Sequence, residues 1–179
     1  MPRVRALGVH TVWNHPTVAP HRDAVKASAS PALRALLEAP TSPRVWIDEA
    51  LQLELHHHVF AQLGLASQDA RIAFLSELQR EAFRALYRTI NIGSPGAALA
   101  RMAAVWRHGH DTGAVRMASQ RPKEARFLLE NHPFLRDPVY RAIAAAGGVA
   151  FVELAGGRDV EVEVERPRPD VASITLRWR

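Results

Sequence analysis

The chain contains no cysteine, and this absence excludes several kinds of site together. Disulfide bonds, thiolate catalysis, iron–sulfur clusters and cysteine-ligated zinc all require that residue. A chain that cannot form disulfides fits a bacterial cytoplasm best, and we expect the protein to be cytoplasmic.

Long apolar segments are absent as well. The longest nearly uncharged apolar run covers residues 142–152, about eleven residues, whereas a membrane-spanning helix needs about 20. The N-terminal Met1-Pro-Arg-Val-Arg is charged, but no apolar segment follows it. We therefore expect neither a membrane span nor a signal peptide.

Lysine is scarce. Lys26 and Lys123 are the only two lysines, so arginine carries nearly all of the positive charge behind the net charge of +5. The arginines are scattered among glutamates, whereas a nucleic-acid-binding protein usually gathers its basic residues on one face. We interpret the charge as a solvated surface and expect no nucleic-acid partner.

The remaining composition is that of one globular domain. Hydrophobic residues make up 47% and charged residues 23% of the 179 residues, which allows a single substantial core. Ser94 is a favourable N-cap and Pro95 suits the first helical position, so a central helix begins there. Its apolar stripe is formed by Leu99, Met102, Ala103 and Trp106. We predict a mainly helical half at 1–93, and the central helix with an antiparallel sheet at 94–179.

Three helices are predicted in the N-terminal half. Apolar spacing and helix caps place them at residues 32–38, 46–63 and 67–90. Residues 4–13 are rich in β-forming side chains and predict a strand. Gln79 lies inside the apolar stripe of the last helix and needs a partner, because an unpaired buried amide costs about 1–3 kcal/mol. The same stripe predicts that Leu86 contacts a buried Trp106.

The C-terminal half alternates between strand and helix patterns. Strands are predicted at 114–118, 124–130, 149–154, 160–165 and 173–178. A helix at 134–146 ends at Gly147-Gly148, and Gly156-Gly157 indicates a hairpin. The order β-β-α-β-β-β predicts an α+β fold, in which a helical N-terminal part precedes a mostly antiparallel sheet with one packed helix.

The last two strands predict both a register and a charged face. With Asp170 at the tip of the connecting loop, Val162 faces Trp178 and Val164 faces Leu176. The outward residues then form a band of mixed charge that can bind a protein partner, consisting of Glu161, Glu163, Glu165, Arg177 and Arg179.

Candidate metal ligands form two groups, Glu54 with His58, and His108 with His110 and Asp111. A metal site would require the two groups to meet, because a zinc ion needs three or four protein ligands. A single helical histidine can also ligate heme. Histidines that are hydrogen-bonded, or placed at a helix C-terminus, are the favoured interpretation. We therefore predict no catalytic residue, no metal and no cofactor.

The segment from Phe83 to Arg179 resembles a known group of proteins. The matching motifs are Ile92-Gly93-Ser94-Pro95, Val105-Trp106-Arg107, Asp111-Thr112-Gly113, the helix before Gly147-Gly148, and Leu176-Arg177-Trp178. They resemble a lineage-restricted paralogous family of unknown function from myxobacteria, which is in turn similar to vinyl-4-reductase-type and heme-NO-binding-type sensor domains. The resemblance implies a ligand-sensing or protein-interaction domain. The zinc-binding cysteines of the vinyl-4-reductase group are absent here.

Three functions follow from these observations. The first is a non-enzymatic cytoplasmic regulatory or scaffold domain that binds a protein partner or forms a homodimer. The second is a sensor that holds a small apolar ligand in a pocket between the helices and the sheet. The third is a metal or heme protein that uses His58, His108 or His110.

Overall fold

The computed structural model describes residues 1–39, 42–86 and 93–179 and has an α+β fold. The elements of the N-terminal half, in chain order, are β1 (Arg3–Arg5), α1 (Leu7–Trp13), a 3-10 turn (Ala19–His21), α2 (Arg22–Ser28), α3 (Pro31–Glu38), β2 (Trp46–Asp48), α4 (Glu49–Leu63) and α5 (Gln68–Leu86). Strands β1 and β2 pair antiparallel.

The C-terminal half carries a four-stranded sheet. Its elements are α6 (Pro95–Ala100), α7 (Met102–Gly109), β3 (Ala114–Arg121), β4 (Glu124–Glu130), a 3-10 turn (Pro133–Arg136), α8 (Pro138–Leu154), β5 (Glu161–Arg168) and β6 (Val171–Arg177). The strand order is β3-β4-β6-β5, and every neighbouring pair is antiparallel. The predicted fold class is therefore confirmed.

Side-chain caps begin the helices where the sequence predicts them. The Oγ atoms of Ser30, Ser67 and Ser94 each accept a hydrogen bond from a backbone N–H three residues later. These bonds satisfy N–H groups that have no partner inside the helix. At its other end, α4 stops at Gly64, whose φ of +66° is a left-handed conformation that glycine adopts without strain.

The prediction of a strand at 4–13 is wrong for most of that segment. Only Arg3–Arg5 is extended, and it pairs with Trp46–Asp48, which was predicted as helix. The following residues form α1 because Val9 and Val12, three positions apart, both become buried on one helix face. Tertiary packing outweighs the β propensity of the valines here.

The predicted central helix is two helices. Arg101 ends α6 and α7 begins at Met102, yet Leu99, Met102 and Trp106 are all buried as the stripe predicts. The predicted contact of Trp106 with Leu86 lies outside the described side chains, and the predicted helix end at 87–90 lies outside the described residues.

The strand predicted at 149–154 is wrong, because α8 continues through Gly147 and Gly148 to Leu154. A Cβ at position 148 would lie 2.7 Å from Phe127 Cζ and 2.9 Å from Leu176 Cδ1. Glycine is present because the helix lies directly on the sheet, and it does not end the helix. Along the chain, the elements after α7 therefore follow the order β-β-α-β-β instead of the predicted β-β-α-β-β-β. Gly156-Gly157 joins a helix to a strand instead of forming a hairpin.

The predicted register of the last hairpin is wrong by two residues. Val162 pairs with Leu176 and Val164 with Ile174, because the turn lies at residues 169–170 and the pairing is irregular between Glu165 and Arg168. A shift of two residues keeps each side chain on its original face. Both valines therefore still pack against the core, as the alternation predicts.

One continuous apolar core joins the two halves, and α5 packs along α8. Gln79 has the partner that its position requires, since its Nε2 donates to the carbonyl of Ile143 at 3.1 Å. No helix among the described residues is long and apolar enough to cross a membrane.

Candidate functional site

A mainly apolar cavity of about 200 Å³ lies between the helices of the N-terminal half and helices α7 and α8 of the C-terminal half. Its walls are formed by α1 and α4 on one side, by α5, and by α7 and α8 on the other. Representative lining residues are Leu7, Leu75, Leu78, Met102, Trp106 and Phe151. The pocket was predicted between the helices and the sheet, but in the part of the chain that the structure describes the four-stranded sheet contributes no lining residue, and the strand residues that do line the cavity are Val4 and Arg5 of β1. The sheet lies behind α8.

Two polar side chains of α4 line this cavity one helical turn apart. Gln52 is 4% exposed, and its Oε1 has no hydrogen-bond partner among the described residues. His56 is 2% exposed, and its Nδ1 lies 2.6 Å from the backbone carbonyl of Gln52. The Nδ1 atom must carry the proton in this bond, so Nε2 is left with a lone pair.

Burial keeps His56 neutral. Desolvation lowers the pKa of His56 to about 4, assisted by the nearby His57, although the hydrogen bond to Gln52 acts in the opposite direction. His56 therefore adds no charge to the cavity wall that α4 forms.

Gly8 leaves room for the amide of Gln52. A Cβ at position 8 would lie 2.6 Å from Gln52 Oε1, which is too close for a side chain. The amide of Gln52 therefore packs directly against the backbone of α1 at Gly8.

A buried cluster of polar groups adjoins the cavity at the start of α4. Glu49 Oε1 accepts hydrogen bonds from Tyr140 Oη and His110 Nδ1, both at 2.8 Å, and Glu49 Oε2 accepts from His132 Nε2 at 2.9 Å. Glu49, His132 and Tyr140 are all buried. His110 also stacks on Trp106, with ring centroids 3.7 Å apart.

The cluster holds a charged carboxylate. Burial by itself raises the pKa of Glu49, but the hydrogen bonds from His110 and His132, together with their electrostatic interaction with the carboxylate, outweigh it and lower the pKa to about 2. Burial and the negative charge of Glu49 raise the pKa of Tyr140 well above its usual value. Tyr140 is therefore a neutral donor to an ionised acceptor.

The ligand atoms of Glu49, His110 and His132 lie within 4.8 Å of one another, a spacing that a metal ion can bridge. One contact argues against this use. The backbone N–H of Phe134 donates to His132 Nδ1 at 3.3 Å, so the proton of His132 lies on Nε2 and points at Glu49. In metal sites the second ring nitrogen normally carries the proton. The geometry is that of a hydrogen-bonded cluster.

The predicted metal candidates are not brought together. Glu54 lies 3.5 Å from His58, but it also accepts hydrogen bonds from the backbone N–H and Oγ of Ser30. Asp111 binds the backbone N–H and Nε of Arg3. His108 is exposed where it lines the cavity.

His110 is the one predicted candidate in the buried cluster, and its carboxylate partner is Glu49 instead of Glu54. Sequence reasoning missed Glu49, His132 and Tyr140. Glu49 is 83 residues from His132 and 91 residues from Tyr140 along the chain, and no spacing links it to them.

The predicted partner-binding residues, Glu161, Glu163, Glu165, Arg177 and Arg179, are all exposed. Arg177 lies between Glu124 at 2.9 Å and Glu163 at 3.5 Å, and Arg126 pairs with Glu165 at 3.6 Å. Exposed ion pairs of this kind contribute about 0–1 kcal/mol each to stability.

The fold is that of H-NOX proteins. A mutant H-NOX protein from K. algicida, Fe(II) unliganded, has a TM-score of 0.73 at 8% identity, with 98% of this chain and 96% of that chain covered. An H-NOX-family protein solved to probe the function of heme distortion gives 0.63 at 11% identity, covering 98% and 95%. An oxygen-binding H-NOX domain related to soluble guanylate cyclases gives 0.58 at 11% identity, covering 98% and 95%.

At these identities the likeness establishes the fold alone. No curated protein matches the sequence significantly. A family model does match: residues 77–179, more than half of the chain, fit the family described as "Protein of unknown function (DUF2378)". The chain therefore belongs to the DUF2378 family of proteins of unknown function, and it folds as an H-NOX-like domain.

Proposed function

We propose that the protein is a non-enzymatic cytoplasmic sensor domain. It binds a small apolar molecule in the cavity between its two helical parts, and it signals occupancy to a protein partner or to a second copy of the chain. The observation that carries this proposal is the cavity itself, whose walls come from both the N-terminal and the C-terminal half of the chain. A ligand held there contacts both parts at once.

Helix α8 provides a route from the cavity to the surface. Its residues Tyr140, Gly147 and Phe151 line the cavity. The next residue, Gly148, lies against Phe127 and Leu176 of the sheet. A ligand that shifts α8 must therefore also shift β4 and β6, because a closely packed interface cannot absorb the displacement.

The polar groups near the cavity support binding over catalysis. Glu49, His110, His132 and Tyr140 are committed to one another by hydrogen bonds, and they leave no nucleophile poised beside a free base among the described residues.

The fold family raises the question of heme, and the residues present do not fit that group. Pockets for ligands of drug size usually measure about 300–1,000 Å³, and this cavity has about 200 Å³. The rings of Trp106 and His110, whose centroids are 3.7 Å apart, both line the cavity and are stacked on each other. His110 itself is bound to Glu49.

A cavity-filling variant tests the proposed function. Ala144 of α8 lines the cavity, and Ala104 of α7 is exposed and serves as the matched control. We expect Ala144→Leu to change the partners recovered from the native host, and Ala104→Leu to leave them unchanged. Native mass spectrometry of wild-type protein should show a retained small molecule that Ala144→Leu lacks. Identical partners and a bare polypeptide mass in all three proteins would contradict the proposal.

The exposed charged band is the surface proposed to contact the partner. Charges at such a surface set specificity and encounter rate more than affinity. We expect Glu161→Lys and Arg177→Glu to recover a different set of partners from wild type. If both variants recover the wild-type set, this face takes no part in signalling.

A further inference from the structure

His110 connects the buried cluster to the cavity. Its Nδ1 lies 2.8 Å from Glu49 Oε1, and its ring lines the cavity and stacks on Trp106 with an angle of 3° between the two planes. Glu49 is ionised and carries no hydrogen, so the proton in this bond lies on Nδ1 of His110. The other ring nitrogen, Nε2, therefore has a lone pair when His110 is neutral.

Nε2 of His110 is an open hydrogen-bond acceptor. It has no partner in the part of the chain that the structure describes. Two side-chain atoms there are unpaired and fully enclosed, Gln52 Oε1 and Arg80 Nε, and His110 Nε2 is not one of them. The side chain of His110 is 16% exposed, whereas that of Glu49 is 1% exposed. Because the two nitrogens of an imidazole ring point in diverging directions, Nε2 faces away from Glu49, where a molecule in the cavity can reach it.

The buried carboxylate makes this acceptor stronger. Hydrogen bonds that are linked in a chain polarise one another in a low-dielectric interior, so the bond from Nδ1–H to Glu49 strengthens acceptance at Nε2 of the same ring. His56 also lines the cavity with a lone pair on Nε2, but it is 2% exposed and its Nδ1 bonds to a neutral carbonyl. His110 is therefore the acceptor that a bound hydroxyl group reaches most easily.

The charges around the cavity favour an uncharged ligand. Among the described residues that line it there is no Asp or Glu, so an ammonium group would have no counterion. Glu49 already accepts three hydrogen bonds. Arg5 lines the cavity, but its guanidinium bonds to the carbonyl of Arg44 and lies 4.2 Å from the ring centroid of Trp46. A carboxylate group would thus meet the lone pair of His110 without a cation committed to it.

The size of the cavity limits the ligand to a compact molecule. An engineered apolar cavity of about 150 Å³ holds benzene. The cavity here measures about 200 Å³, and its apolar and aromatic walls include Leu78, Trp106 and Phe151. A molecule with one or two rings fills this space, and a porphyrin macrocycle does not.

We propose that the cavity binds a compact phenol, an uncharged aromatic molecule whose O–H group donates a hydrogen bond to Nε2 of His110. This proposal rests on the proposed function, because it names the chemical class of ligand that the sensor cavity takes. His110 is then the residue that selects for the hydroxyl group, and the apolar walls supply most of the affinity.

Two probe molecules separate the hydrogen bond from the apolar contact. Para-cresol and para-fluorotoluene have nearly the same shape, but only para-cresol carries a donor. Titration calorimetry on the full chain should show para-cresol binding about tenfold tighter, which corresponds to one hydrogen bond of about 1.4 kcal/mol. Equal binding of the two probes, or tighter binding of para-fluorotoluene, overturns the proposal without any variant.

Nuclear magnetic resonance on the wild-type protein identifies the acceptor atom. Long-range proton–nitrogen spectra of protein labelled at histidine distinguish the two nitrogens of each ring. We expect the proton of His110 on Nδ1 in the free protein, and a change in the Nε2 resonance of His110 when para-cresol is added. Para-fluorotoluene should leave that resonance in place. A proton on Nε2 in the free protein, or a change at His56 instead of His110, overturns the assignment.

A substitution at the acceptor completes the test. His110→Phe keeps a ring against Trp106 but removes both nitrogens, and the preference for para-cresol should fall to within about twofold. His108→Gln is the matched control, because His108 is exposed where it lines the cavity. Its preference should remain about tenfold. A preference that survives in His110→Phe, or is lost in His108→Gln, places the hydrogen bond elsewhere. If His110→Phe does not fold, the wild-type spectra decide.

The remaining outcomes distinguish this proposal from the proposed function. If neither probe binds while native mass spectrometry shows a retained molecule, the ligand class is wrong and the sensor function stands. If neither probe binds and the protein retains nothing, both are wrong.

Discussion

Acid should destabilise the fold through His56. This side chain is 2% exposed, and burial lowers its pKa from 6.5 to about 4. The unfolded chain takes up a proton on this residue near pH 6.5, whereas the folded chain takes it up only near pH 4. The contribution of the neutral imidazole to folding is complete above pH 6.5 and is lost as the pH falls towards 4. This difference in the pKa of His56 corresponds to a loss of about 3 kcal/mol in the free energy of unfolding between pH 8 and pH 4.

Urea denaturation at pH 8, 6, 5 and 4 measures this loss. With an m-value of about 2 kcal/mol per molar urea, the midpoint of wild type should fall by about 1.5 M more than that of His56→Leu. The variant isolates one histidine, because all other titrating groups are shared. His108→Gln, which removes an exposed histidine, should follow wild type. Parallel pH profiles for wild type and His56→Leu would refute the reasoning.

Three further predictions concern the buried residues around the cavity. Glu49→Ala should lower the free energy of unfolding by about 3–5 kcal/mol, because the buried His132 and Tyr140 and the half-buried His110 lose their shared acceptor; a loss below 1 kcal/mol in urea denaturation would show that the cluster contributes little. Trp106→Ala should cost about 3–5 kcal/mol by the same measurement, as is usual for a buried aromatic side chain. An unchanged midpoint would contradict its role in the core. A strong chelator should leave the thermal melting curve unchanged, because His132 points a proton at Glu49. A drop of several degrees that zinc restores would show that the cluster holds a metal.

Local signals in the sequence were sufficient for most of the helices. Ser30, Ser67 and Ser94 each begin a helix because a cap acts within four residues, and such an effect is visible in the sequence. Gly147 and Gly148 were misinterpreted for the opposite reason. Gly148 is needed because Phe127 and Leu176 lie against it in the folded sheet, and Gly147 lies against Gln79 of α5.

The candidate site was only partly predictable. An apolar ligand pocket was expected, and His110 was identified as a polar residue of interest. Its partners Glu49, His132 and Tyr140 were not, because hydrogen bonds between segments far apart in the sequence leave no periodic pattern. The predicted register of the last hairpin is wrong by two residues for a related reason, since a shift by two residues preserves the alternation of Val162 and Val164.

The buried cluster has a consequence for where the folding unit begins. The family match starts at residue 77, yet the carboxylate that His110, His132 and Tyr140 share is Glu49, at the first turn of α4. A polypeptide cut at residue 77 would keep the three donors and lose their acceptor, together with the α1 and α4 walls of the cavity. The hydrogen bonds that complete the cluster join residues 61, 83 and 91 positions apart, so the C-terminal donors are satisfied only when the N-terminal half is folded against them.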